Sequence, residues 1–138
     1  MTGKRSMTEK RGRCLCGAVT FRYEGPENWR AFCHCESCRR QTSSPVTAFV
    51  GVPRTAAEVV GETLAAYESS PGVRRSFCSR CGSPIAYESD RWPDEIHFYT
   101  AALEDPEQAP PEYHVHFAEH LSWLKIDDGL ERHPRSGQ

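Results

Sequence analysis

Seven cysteines fall at three places in a chain of 138 residues: Cys14-x-Cys16, Cys33-x-Cys35-x-x-Cys38 and Cys78-x-x-Cys81. An odd number cannot close a complete set of disulfides within one chain. Residues 1–13 are polar and basic, without the apolar core of a signal peptide, and no run of apolar residues is long enough to span a membrane. The expectation is therefore a cytoplasmic protein whose thiols stay reduced and serve as metal ligands. The rest of the composition makes metals useful. Leu, Ile, Val and Phe make 23 of the 138 residues, about 17 %. So thin an apolar content promises a modest core that gains from cross-links or bound ions. Seventeen Lys and Arg against 19 Asp and Glu leave a net charge of −2. The basic clusters are short, and neither nucleic acid nor a membrane surface is an expected partner.

Spacing divides the cysteines into two groups. Cys16 and Cys81 are each followed by glycine, Gly17 and Gly82, which lets the backbone turn sharply and aim N–H groups at thiolate sulfurs. Cys14, Cys16, Cys78 and Cys81 then make a four-thiolate tetrahedron, a closed structural metal site; the competing reading is four buried apolar cysteines. Cys33, Cys35 and Cys38 lie within six residues and supply three ligands, leaving a fourth position that is either open, as in catalytic zinc sites, or filled by His97, His114, His116 or His120. Three thiolates over-neutralise a divalent zinc and blunt its power to acidify water, so an open site of this kind suits a soft sulfur ligand, a thiol bound as thiolate.

Short alternating or β-branched runs at 18–23, 46–52, 75–77, 85–87, 96–99 and 113–117 read as strands. Ten prolines and ten glycines punctuate them, and residues 55–60 are the one moderate helix candidate. The expected organisation is a flexible tail at 1–12, a single zinc-stabilised, mainly β domain with short helices at 13–130, and a flexible tail at 131–138, where His133 needs no role. Core packing is the default for Trp29, Trp92, Trp123, Tyr87, Tyr99 and Phe117, with Trp92 placed to rim a pocket.

The runs Arg-Cys-Leu-Cys-Gly-Ala-Val from Arg13, Phe-Cys-His-Cys-Glu-Ser-Cys-Arg-Arg from Phe32 and Phe-Cys-Ser-Arg-Cys-Gly-Ser-Pro-Ile from Phe77 resemble the glutathione-dependent formaldehyde-activating enzymes. That family also contains centromere protein V. Leu103-Glu-Asp-Pro, His114-Val, Trp123 and Asp128-Gly-Leu fit its C-terminal half, so the resemblance spans about 13–130 and takes in all seven cysteines. It implies a β-tent fold with two zinc ions: a structural one on Cys14, Cys16, Cys78 and Cys81, and a catalytic one on Cys33, Cys35 and Cys38. It implies carbon–sulfur lyase chemistry, the reversible joining of formaldehyde to the glutathione thiol to give S-hydroxymethylglutathione. Relatives often carry Gly where this chain has Ser43, a side chain expected to reshape the pocket beside the open zinc.

Under that reading the second zinc takes the substrate sulfur, and a base, Glu36 or His34 by nearness in sequence, removes the hydroxyl proton of the adduct. Arg39 and Arg40 are candidate partners for the carboxylates of a small thiol such as glutathione. The main alternative is a non-enzymatic zinc-binding protein-interaction module on the same fold. A nucleobase deaminase would use His34-Cys35-Glu36 with Cys78-x-x-Cys81, but it lacks the expected proline before Cys78 and idles five cysteines. No run has iron–sulfur spacing.

Overall fold

The computed structural model describes residues 9–136. Among them the chain forms β1 (Lys10–Arg13), β2 (Thr20–Tyr23), β3 (Trp29–Cys33), α1 (Glu36–Thr42), β4 (Thr47–Pro53), β5 (Ala57–Val60), β6 (Leu64–Ser70), β7 (Val73–Cys78), β8 (Pro84–Ser89), β9 (Glu95–Tyr99), β10 (Tyr113–Val115) and β11 (Glu131–Arg132). The architecture is mainly β, with one short α-helix and four 3-10 turns among the described residues. Strands β1, β2 and β5 make a small sheet; the rest form a large one in the order β11-β10-β3-β4-β9-β8-β7-β6. No helix of the described residues is long and apolar enough to cross a membrane.

Strand alternation sorts the side chains of the large sheet onto two faces. In β4 and β9, Val50, Val52, Ile96 and Phe98 join the main core with Phe21 and Tyr23 of the small sheet and Val19 just before it. Phe21 and Phe98 stack with ring centroids 4.2 Å apart, and burying a ring of that size contributes about 1.5–3 kcal/mol. The intervening Phe49 and Tyr99 are opposite one another in register and join a second buried cluster with Cys33 and Cys38. The other face of the large sheet thus carries the three-cysteine group.

Three local expectations are corrected. Residues 55–60 are not a helix: a 3-10 turn at Arg54–Ala56 leads directly into β5, where β-branched Val59 and Val60 pair with Phe21 and Thr20. The helix lies instead at α1, which has no apolar periodicity to announce it. It is capped by Cys35, whose sulfur accepts the Cys38 N–H at 3.3 Å. The expected loose ends are also partly ordered. Residues 10–12 pair with β2, β11 runs parallel to β10, and the amides of Phe117 and His116 donate to the carbonyls of His133 and Arg135. The remainder of those tails, 1–8 and 137–138, lies outside the described residues.

Candidate metal centres and the cavity beside them

The first cluster is assembled from two similar knuckles. Cys14 N donates to Val19 O at 3.0 Å, and Cys78 N donates to Ser83 O, also at 3.0 Å. Within these loops Gly17 and Gly82 both sit at φ +83°, a left-handed conformation that a side chain strains. Their amides close the turns onto the Cys14 and Cys78 carbonyls. Leu15 N–H donates to Ser83 Oγ at 2.9 Å and ties one knuckle to the other. The four sulfurs lie within 4.8 Å of one another. Cys14–Cys16 and Cys16–Cys78 are separated by 3.7 and 3.8 Å. A zinc–sulfur bond of about 2.3 Å gives a tetrahedral edge of about 3.8 Å, so this donor set fits zinc. Further donors reach the sulfurs: Val19 N–H to Cys14 at 3.3 Å and Thr63 Oγ1 to Cys78 at 3.1 Å. The Ser83 hydroxyl, followed by backbone N–H groups, holds the Cys81 thiol down at about 5, which favours the thiolate a metal needs.

The second cluster comes from one stretch of chain. Cys33 ends β3, Cys35 caps α1 and Cys38 sits in its first turn, with all three sulfurs within 4.8 Å of each other and Cys33–Cys38 at 3.8 Å. Hydrogen bonds from the Cys33 and Cys38 thiols, then from the Cys38 N–H, push Cys35 down to about 2. Among the described residues no His, Asp or Glu ligand atom joins these three. The candidate fourth ligands are placed elsewhere. His97 Nε2 lies 2.9 Å from Glu95 Oε1, His120 Nδ1 lies 2.7 Å from Phe117 O, and His114 lies between His34 and Asp128. His116 faces the same cavity as the cysteines but does not complete their group.

That cavity has a volume of about 290 Å³. Cys33, Cys35 and Cys38 line one part of it, and Trp29, Phe49, Tyr87, Trp92 and His97 line another. Gly51 makes room for the aromatic part, because a Cβ there would lie 2.4 Å from the Trp29 ring. Arg75 is the single guanidinium in the lining and is only 5 % exposed. Its Nη1 donates to Cys38 Sγ at 3.5 Å, its Nε to Ser69 Oγ at 3.1 Å, and its guanidinium lies 4.9 Å from the centroid of the Tyr87 ring. Burial works against its charge, and the Cys38 sulfur, once ionised, favours it. Sequence reasoning missed this residue. Its signal was the alternation of β7, which sends neighbouring Arg74 outward to Asp90 and Arg75 inward.

Other expected site residues do not reach the cavity. Arg39 donates to the carbonyls of His34 and Glu119, and Arg40 pairs with Glu36 at 2.8 Å. Arg39, Arg40, Glu36 and Ser43 line a different surface depression with Leu121 and Trp123. Ser43 is the C-cap of α1 at φ +57°, a position at a helix end that favours glycine, and it does not line the cavity of the cysteines. His34 points away from Cys33 and Cys35, as alternation requires. It is fully buried, with Nε2 2.8 Å from His114 Nδ1, while His114 Nε2 lies 2.8 Å from Asp128 Oδ2. Burial, then the neighbouring His114, lowers His34 to about 4, so it is neutral. Nδ1 of His34 is buried and has no hydrogen-bond partner. This chain of three ties the cysteine loop to β10 and to the loop before β11. It accounts structurally for the His34, His114 and Asp128 motifs. Trp92 lines the cavity, Trp29 and Tyr87 do so as well, and Trp123 is 67 % exposed rather than packed in the core.

The sequence profile of the glutathione-dependent formaldehyde-activating enzyme family matches residues 9–119. A Halomonas elongata protein, provisionally named as a glutathione-dependent formaldehyde-activating enzyme, is 31 % identical over 126 residues, covering 84 % of this chain and 80 % of that protein. An uncharacterized lyase of Schizosaccharomyces pombe is 35 % identical over 81 residues, 59 % of this chain and 58 % of its own length. A crystal structure of a Rhodobacter sphaeroides protein superposes with a TM-score of 0.58 at 26 % identity, over 68 % of this chain and 87 % of that one. By its sequence profile and the length of its similarity to a relative, this chain belongs to the glutathione-dependent formaldehyde-activating enzyme family.

Proposed function

We propose that this protein is a zinc-dependent carbon–sulfur lyase acting on the adduct of an aldehyde with a small thiol of the glutathione type. The observation that carries this reading is the group of three sulfurs in the cavity lining, joined by no fourth protein ligand among the described residues. The relatives named as a formaldehyde-activating enzyme and as a lyase support the reaction class. Zinc on Cys33, Cys35 and Cys38 supplies a soft Lewis acid that favours the thiolate form of a substrate sulfur. Zinc on Cys14, Cys16, Cys78 and Cys81 is structural.

The chain's own residues do the remaining work. Arg75 balances the negative charge of the three thiolates from below. The aromatic wall excludes water from the reacting carbon. His116 lines the cavity on the side of the cysteines, and it receives the hydroxyl proton of the adduct as the C–S bond breaks. It takes the role that nearness in sequence gave to Glu36 or His34. A closed four-ligand second site would have favoured the protein-interaction module; a three-ligand group beside a cavity favours the enzyme.

The test is native mass spectrometry with a turnover assay on the same samples. Wild type carries two zinc ions and turns over the glutathione–formaldehyde adduct; Cys35→Ser keeps the fold and one zinc and loses turnover. Undiminished turnover in Cys35→Ser would overturn the mechanism.

A further inference from the structure

The part of the cavity beyond the cysteines is more aromatic than a hydroxymethyl group requires. Trp29 meets His97 edge-on at 4.6 Å, Tyr87 stacks on His97 at 5.4 Å, Trp92 lies 5.8 Å from the same ring, and Phe49 meets Tyr87 edge-on at 6.1 Å. These five rings form one continuous wall. A hydroxymethyl group, with one carbon and one oxygen, touches little of it. The wall also discriminates by charge. Among the described residues no Asp, Glu or Lys lines the cavity, and its single guanidinium is committed to Cys38 and Ser69. Arg75 lies over the Tyr87 ring and Arg91 over the Trp92 ring, and these cations disfavour a ligand ammonium beside the same rings. What remains is a surface for a neutral planar group.

Building on the lyase reading above, we propose that the site selects thiol adducts of aldehydes bearing an aryl or similarly planar apolar substituent. The substituent lies against Trp29, Phe49, Tyr87 and Trp92, while the thiol sulfur is held at Cys33, Cys35 and Cys38. The charged arms of the thiol point toward the serines of the lining, Ser37, Ser69 and Ser70. In the breakdown direction the C–S bond cleaves with its electron pair on sulfur, the hydroxyl proton passes to His116, and the C–O bond becomes the carbonyl. Thiolate and aryl aldehyde leave, and nothing is oxidised or reduced.

The experiment is calorimetric titration of the zinc-loaded full chain with two stable thioether probes, S-benzylglutathione and S-methylglutathione. Both offer the same sulfur and the same peptide arms, so their ratio reports the wall alone. Burial of the added ring predicts about tenfold tighter binding of the benzyl probe or more. In Trp92→Ala that ratio falls to within about twofold, whereas Trp123→Ala, in the separate depression, keeps it. Equal affinities for the two probes in wild type would overturn the specificity, whatever the turnover assay shows. A preserved benzyl preference in a protein that turns over no thiol adduct would instead defeat the lyase reading and leave the aryl-binding wall standing.

Discussion

Replacing Arg75 with Met keeps the length of the aliphatic stem and removes the cation beneath the three-thiolate cluster. The lost contact is the Nη1 donor 3.5 Å from Cys38 Sγ. Unit charges at that distance attract by about 4–5 kcal/mol at an effective dielectric of about 20. A sulfur shared with a metal carries only part of a unit charge, so about 2 kcal/mol is the expected loss to the loaded state, roughly thirtyfold in the zinc dissociation constant. The metal-free protein responds differently. Without an ion Cys38 is a neutral thiol, and removing a buried guanidinium relieves its desolvation, so stability to urea changes by no more than about 1 kcal/mol. Competition with a chromophoric zinc chelator separates the two effects: one zinc is released at roughly thirtyfold lower chelator activity, and the ion on Cys14, Cys16, Cys78 and Cys81 is unaffected. Release of both ions at wild-type chelator activity would refute the charge-balancing role of Arg75.

Glu95 supplies a pH-dependent contribution. Its bond from His97, then those from Asn28 and Trp29, lower its carboxyl to about 2 against burial that raises it. A depressed carboxylate stabilises the fold above its unfolded value near 4.5 and loses that contribution as pH falls toward 2. Urea midpoints should therefore show Glu95→Gln less stable than wild type at pH 7, by up to about 3 kcal/mol, with the gap closing between pH 4.5 and 2; a gap that persists at pH 2 contradicts this. His116→Gln should lower the turnover number on a thiol adduct by about a hundredfold while both zinc ions remain bound, and a wild-type rate would remove His116 from proton transfer.

The two cysteine clusters were more legible in the sequence than the cavity beside them. Ligand spacing is local and chemical, and Gly17 and Gly82 mark the knuckles because only that backbone turns onto Cys14 and Cys78. The central strands were legible for a similar reason, since alternation in 46–52 and 96–99 writes two faces into the order of residues. α1 was not, because it is short, polar and held by a cysteine cap and by Glu119, which accepts the Glu36 N–H from 83 positions away. β6 was hidden too: its mostly exposed Ala-Ala-Tyr-Glu-Ser-Ser run has no buried face, and its partner β7 decides its conformation. The cavity escaped because its wall comes from β3, β4, β8 and β9 at once. Arg39 and Arg40 drew attention as charges beside the cysteines, yet helical geometry turns them toward Glu119 and Glu36.

The two clusters differ in how much chain each must gather, and this imposes an order on biosynthesis. Cys33, Cys35 and Cys38 span six residues, so their loop closes at almost no entropic cost and they can capture an ion as soon as they leave the ribosome. Cys16 and Cys78 are 62 residues apart, and their group cannot exist until β7 and the second knuckle have been made and the intervening strands have begun to pair. On the proposed two-zinc reading, a nascent chain short of zinc would fill the three-cysteine group first and the four-cysteine group last. Starvation for the metal would then show itself as failure to complete folding, before any folded protein accumulated with an empty three-cysteine group.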